Sequence, residues 1–174
     1  MTQPDFFTPI SAGIIAALKA CQTFTAIVKP GNVIDMSLSA FEQFKGTVQA
    51  ADTPEVILLQ DSMRIVRSNS MTFDFYNRLL FVCTYDNLRT RDINQTKTAI
   101  VVALIKAGVN DLGIQPPAGW PNKFVRGWRP LDGKDELAGA PETRQWMRGT
   151  KRWIGFFGLE VNTFFDIKTL SSLP

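Results

Sequence analysis

The residues that could do chemistry are defined first by what is missing. The 174-residue chain contains no histidine. That removes His-based metal ligation, Ser-His-Asp and Cys-His nucleophiles, and imidazole acid/base work. Its two cysteines, Cys21 and Cys83, are not a C-x-x-C pair and cannot build a zinc site alone. Both read as buried apolar residues. No G-x-x-x-x-G-K or G-x-G-x-x-G phosphate loop occurs, and no G-x-S-x-G elbow. The carboxylates Asp132, Asp135 and Glu136 cluster within Leu131–Leu137, but they depart from calcium-loop spacing and enclose Lys134, so they read as a solvated turn. No catalytic residue, metal or cofactor is expected.

A basic segment is the remaining chemical signal. Arg144, Arg148, Lys151 and Arg152 surround Trp146 and Trp153, with no acid among residues 144–152. Arginine interleaved with tryptophan binds phosphates and stacks on bases. The same residues anchor protein interfaces, and interior tryptophans flanked by solvated charges give the same pattern. An RNA-binding K/R-G-F-G-F context is absent. The expectation is that these four cations face a negatively charged neighbour, either an acidic protein or DNA. A nucleic-acid-binding module using residues 123–152 is the alternative, and a small carboxylate-dependent enzyme is a third reading.

Composition supports a packed core: 45% of residues are apolar, 20% charged and 11% aromatic, including 13 Phe and 4 Trp. The length suits one domain over residues 1–174. Net charge is +3, spread as −3 over residues 1–63, +3 over 64–119, +4 over 120–153 and −1 over 154–174. The apolar runs Ile14–Leu18 and Ala99–Ile105 are too short to span a bilayer, so no membrane role is expected. The first residues lack a basic start followed by an apolar run, so no secretory leader is expected. The expected class is a soluble globular protein made in a reducing compartment.

The elements that must position these residues follow from periodicity. A helix is expected over residues 9–22, with Thr8 as cap, Pro9 in the first turn and Ile10, Ile14, Leu18 and Cys21 in one stripe. Phe24–Val28 reads as a strand ending at Lys29-Pro30-Gly31-Asn32, and Ser37–Phe44 as a short helix. Glu55–Leu59 reads as a strand that Met63–Val66 continues or pairs with. Met71–Tyr85 is the longest strand-like segment; its alternation weakens in the second half, which allows a bend near Asn77-Arg78. A second helix over 92–107 has Asp92 as cap, Gln95 as its box partner and Gly108 as stop. Residues 110–150 read as a long irregular excursion, rich in Gly and Pro but carrying Trp120, Trp128 and Trp146. Trp153–Ile167 is the final strand, its Gly155 and Gly158 marking a bulge or close approach. The class is α+β: a mainly antiparallel sheet from 55–85 and 153–167, with two helices packed on one face and the excursion before the last strand.

This order of elements resembles the tail terminator and tail-completion (head-tail joining) proteins of long-tailed bacteriophages. It is carried by the helix Pro9–Ala20, the segment Pro54–Leu59, the long strand Met71–Tyr85, the capped helix Asp92–Ala107 and the aromatic strand Trp153–Ile167. The resemblance implies a structural virion protein without an active site. It implies a homo-oligomeric ring, commonly a hexamer, between the tail tube protein and the head-tail connector, assembled in the host cytoplasm. Exposed parts of the long strand near Phe73 and Phe75, with the 120–150 segment, are expected to supply the contacts between subunits.

Overall fold

A computed structural model describes residues 7–36, 54–85, 90–116, 124–131, 145–147 and 152–168. The elements run α1 (Thr8–Ala20), α2 (Gln22–Thr25), a 3-10 turn (Pro30–Asn32), β1 (Val33–Asp35), β2 (Glu55–Arg67) and β3 (Thr72–Tyr85). They continue with α3 (Thr90–Ala107), β4 (Val125–Leu131), β5 (Gln145–Met147) and β6 (Arg152–Asp166). The fold is α+β.

β3 and β6 form the middle of the sheet, antiparallel from Thr72↔Asp166 to Tyr85↔Trp153. β2 flanks β3 antiparallel, and β1 adds a parallel edge by pairing Val33–Asp35 with Val56–Leu58. On the other side of β6, β4 pairs with residues 158–163 and β5 with residues 152–154. The strand order is therefore β1-β2-β3-β6-β4, with β5 also on β6.

Alternation along the strands separates two sets of buried residues. Val56, Leu58, Phe75, Phe81, Leu159 and Val161 share one buried cluster with Ile10, Ile14 and Leu18 of α1, Phe24 of α2, and Ile100 and Leu104 of α3. Ile57, Leu59 and Val82, of the opposite parity, form a separate small cluster with Leu80 and Phe156 against it. Aromatic pairs knit the larger cluster. Phe81 and Phe157 are direct cross-strand partners with centroids 5.6 Å apart, and Phe75 meets Phe165 edge-on at 5.3 Å.

Several expectations are corrected by tertiary packing. Phe24–Val28 is not a strand: α2 and a turn occupy it, because Phe24 must reach the same cluster as the α1 stripe. Thr8 is the first residue of α1 rather than its cap, and α3 starts at Thr90, placing Asp92 in its first turn. The 110–150 excursion contains two strands, β4 and β5. No bend occurs at Asn77-Arg78. Asn77 is fully buried, its amide nitrogen donates to Phe75 O, Val161 O and Thr163 Oγ1, and β3 continues through it in unbroken register with β6. The irregularity lies opposite, between Gln60 and Ser62 of β2, and a second falls between Val125 and Gly127 of β4 rather than at Gly155 or Gly158. The Ser37–Phe44 helix lies outside the described residues.

Beyond α3 the chain turns sharply. Gly108 N–H closes on Leu104 O, and Leu112 and Gly113 take φ of 58° and 62°. This turn brings Ile114 onto α1, and Trp128 of β4 donates its indole N–H to Gly108 O at 3.2 Å. A Cβ on Gly13 would sit 2.5 Å from Ile114 Cγ1. Among the described residues no helix is long and apolar enough to cross a membrane.

Two outcomes are expected. Gly13→Ala raises intrinsic helix propensity, yet it overpacks the α1–Ile114 contact and lowers stability by about 1–2 kcal/mol in urea titration. Cys83 is buried and its thiol is pushed up to about 12 by desolvation, against the opposing pull of Tyr85 and Lys97. The unfolded thiol ionises near its ordinary value while the folded one stays protonated, so this group lowers stability as pH rises above 9. At pH 8 it should react with a disulfide reagent only after denaturation, whereas prompt labelling of the native chain would contradict the packing.

Candidate functional site

The residues singled out by type fall into four groups. Arg144, Arg148 and Lys151 lie outside the described residues, as do Asp132, Asp135 and Glu136. Trp146 lies in β5 and Arg152 opens β6, where the register pairs Trp146 with Trp153 and Met147 with Arg152. The backbone thus places the two tryptophans at opposed positions of one ladder. Phe75 corrects the expectation of an exposed contact: it is 5% exposed, because it faces the helices and packs on Phe165. Phe73 is half-buried against the same cluster. Both cysteines are buried and unbridged. Among the described residues no group of three Cys, Asp or Glu side chains is arranged to hold a metal ion.

One surface lies where β2 and β3 run on beyond β1. β1 ends against Leu58, and among the described residues no strand pairs with the outer side of β2 from Gln60 to Arg67. Among the described residues that stretch is therefore a sheet edge. It also carries exposed Met63, Ile65 and Val66, with Met71 exposed at the turn and Ile167 nearby through its N–H bond to Met71 O. Ile65 stands opposite Phe75, so the apolar row of β3 extends outward onto the edge. The turn itself is tightly held. Arg67 donates to Asn69 O and Ser70 O, Ser68 N–H to Thr72 O, and the Ser68 hydroxyl to Asp74.

A second surface lies on the opposite face of the same strands. The register aligns Ser62, Arg78, Glu160 and Arg129 across β2, β3, β6 and β4, and beside them Arg64, Tyr76, Asn162 and Gly127. Glu160 is buried between two arginines: Arg78 Nε donates to one carboxylate oxygen at 3.3 Å and Arg129 Nε to the other at 3.0 Å. Arg126, the extra residue of the β4 bulge, reaches Asp74 at 3.3 Å and lies 3.8 Å over the Phe164 ring. Arg64 covers Tyr76 at 4.7 Å. An open groove of about 480 Å³ adjoins this face, lined by Asn110, Asp111, Val125, Arg126 and Phe164. Arg64 and Arg78 were not singled out by type or spacing, and Arg126 and Arg129 entered only within the 123–152 segment. The signal present was the polar even row of β3, Asp74, Tyr76 and Arg78, but its partners come from strands distant in sequence.

With both surfaces in place, the chain can be set beside known proteins. No family model matches it, and no curated protein does. The fold resembles that of a chain in the virion of a native gene transfer agent (GTA) particle. The TM-score is 0.52 at 11% sequence identity, over 90% of this chain and 94% of the GTA virion chain. At that identity the likeness to the GTA virion chain is one of fold, and it extends over nearly the whole of both chains.

The Glu160 arrangement makes a stability prediction. Glu160→Ala leaves two guanidinium groups without their shared carboxylate, though Arg129 is half exposed and resolvates. A loss of about 1–3 kcal/mol is expected in urea titration, with a smaller loss for Glu160→Gln.

Proposed function

We propose that this chain is a structural protein of a phage-like virion, forming a homo-oligomeric ring at the end of the tail tube, as a tail terminator or tail-completion protein at the head-tail junction. The observation that carries this reading is the fold likeness to a GTA virion chain across nearly the full length of both. The element order supports the finer assignment, and no catalytic role is proposed. The ring is a hexamer that meets the tail tube protein on one side and the connector on the other.

The physical basis is the open β2 edge. An edge that no other described strand flanks, with exposed Met63 and Ile65 on it, is a surface suited to a partner. A head-to-tail contact on a different patch of the next subunit closes into a ring when its rotation is a whole fraction of a turn. Met63, Ile65 and half-buried Phe73 supply part of that contact. Trp146 and the cations Arg144, Arg148, Lys151 and Arg152 supply the surface toward an acidic neighbouring protein.

Light scattering on the purified chain tests this directly. The expected mass is a hexameric multiple of 19.4 kDa, with ring-shaped particles in negative-stain microscopy. Ile65→Lys should lower the mass toward that of one chain while leaving circular dichroism unchanged. Phe75→Lys should unfold the chain instead. A monomer at every concentration, without added partner, would overturn the ring.

A further inference from the structure

We propose that the arginine-bearing face of the sheet binds the phosphate backbone of double-stranded DNA without reading its sequence. The surface comprises Arg64, Arg78, Arg126 and Arg129, brought together from β2, β3 and β4. It is separate from the Arg144–Arg152 segment and stands on the protomer alone, so it does not depend on the ring.

Placement comes first. Arg64 and Arg129 lie on strands three spacings apart, so the cations span about 14 Å across one face. The acids among them lie deeper. The side chains of Asp74 and Glu160 are 11% and 6% exposed, against 48% for Arg126 and 52% for Arg129. Arg78 is only 21% exposed, so the cations that solvent meets are Arg64, Arg126 and Arg129, and the carboxylates hold the latter two in place. Asp111 borders the groove and Asp166 stands at the end of β6, which keeps the expected affinity modest.

The aromatic residues then decide which partner fits. A single-strand platform needs open ring faces for base stacking. Here Arg64 covers Tyr76 and Arg126 covers Phe164. The planar cations that occupy those faces are suited to phosphate oxygens. A protein interface centres on apolar anchors in desolvated pockets. On this face Val66 is the large apolar residue left exposed, while Met63 and Ile65 have the opposite parity. A duplex backbone needs no anchor, because its binding comes from releasing counterions.

The test is fluorescence anisotropy of the full-length protein with two labelled duplexes of unrelated sequence, titrated at several salt concentrations. Equal micromolar-range binding to both duplexes is expected at low salt. Three neutralised phosphates give a slope of about −2.7 in log K against log salt, and Arg64→Gln and Arg129→Gln should each reduce it by about 0.9. Arg64→Gln alters an exposed side chain, so it keeps the test decisive if Arg129→Gln lowers stability. Four results would overturn the proposal: no duplex binding at low salt, tighter binding to single strands, binding only to polyglutamate, or binding unchanged by both substitutions but lost in Arg144→Glu/Arg148→Glu. The mass of the particle is measured independently, so failure here leaves the ring reading intact, and failure of the ring leaves this one intact.

Discussion

The antiparallel pairing of β3 with β6 is the constraint on which the rest of the molecule depends. The two strands lie some eighty residues apart in the chain and pair without a register shift from Thr72↔Asp166 to Tyr85↔Trp153. Every other strand attaches to one of them or to a strand already attached: β2 to β3, β4 and β5 to β6, and β1 to β2. Their odd-numbered residues, including Phe75, Leu79, Phe81, Leu159, Val161 and Phe165, also share one buried cluster with residues of the helices. A slip of one residue would exchange this row for Asp74, Tyr76, Arg78, Glu160 and Asn162, placing charged groups beneath the helices. That penalty makes the register unique.

The same parity rule generates both surfaces. Residues that do not face the helices in the outer half of β3 and β6 are Asp74, Tyr76, Arg78, Glu160 and Asn162, which is why cations gather there. The two bulges adjust the outcome locally. In β2 the shift between Gln60 and Ser62 changes which residues share a face, so that Arg64 joins Arg78's side and Ile65 joins Phe75's. In β4 the shift between Val125 and Gly127 makes Arg126 the extra residue, and it turns onto Phe164 and Asp74.

Those observations also explain what was legible in the chain. The α1 stripe, the Thr72–Tyr85 strand, α3 and the final strand declare themselves locally, through spacing and through Gly108. Phe24–Val28 misled because its β-branched and aromatic content resembles a strand, while burial of Phe24 against the α1 stripe favours another helical turn. β4 was hidden by Gly127 and Pro130, residues that read as breakers but are tolerated in a bulged outer strand. Phe75 was misplaced as an outer contact because alternation shows which residues share a face but not which face is covered. The arginine surface was beyond sequence reasoning, since Arg64, Arg78 and Arg129 become neighbours only once β2, β3, β6 and β4 are in register.

The two edges of the sheet are protected to different degrees, and this gives the molecule a direction. β4 carries Pro130, which offers no N–H to a further strand, together with a bulge and exposed Arg126 and Arg129. These are the usual devices that stop a sheet from growing. The stretch Gln60–Arg67 of β2 has no proline, although it carries Asp61 and its own bulge between Gln60 and Ser62. Its two cations are drawn away from the edge: Arg64 lies inward over Tyr76, and Arg67 is held by the turn carbonyls of Asn69 and Ser70. What remains there, among the described residues, is backbone that no strand flanks, with Met63 and Ile65 beside it. Among the described residues the sheet is thus guarded along β4 and presents apolar side chains along the outer half of β2, so its two sides differ in what they can pair with.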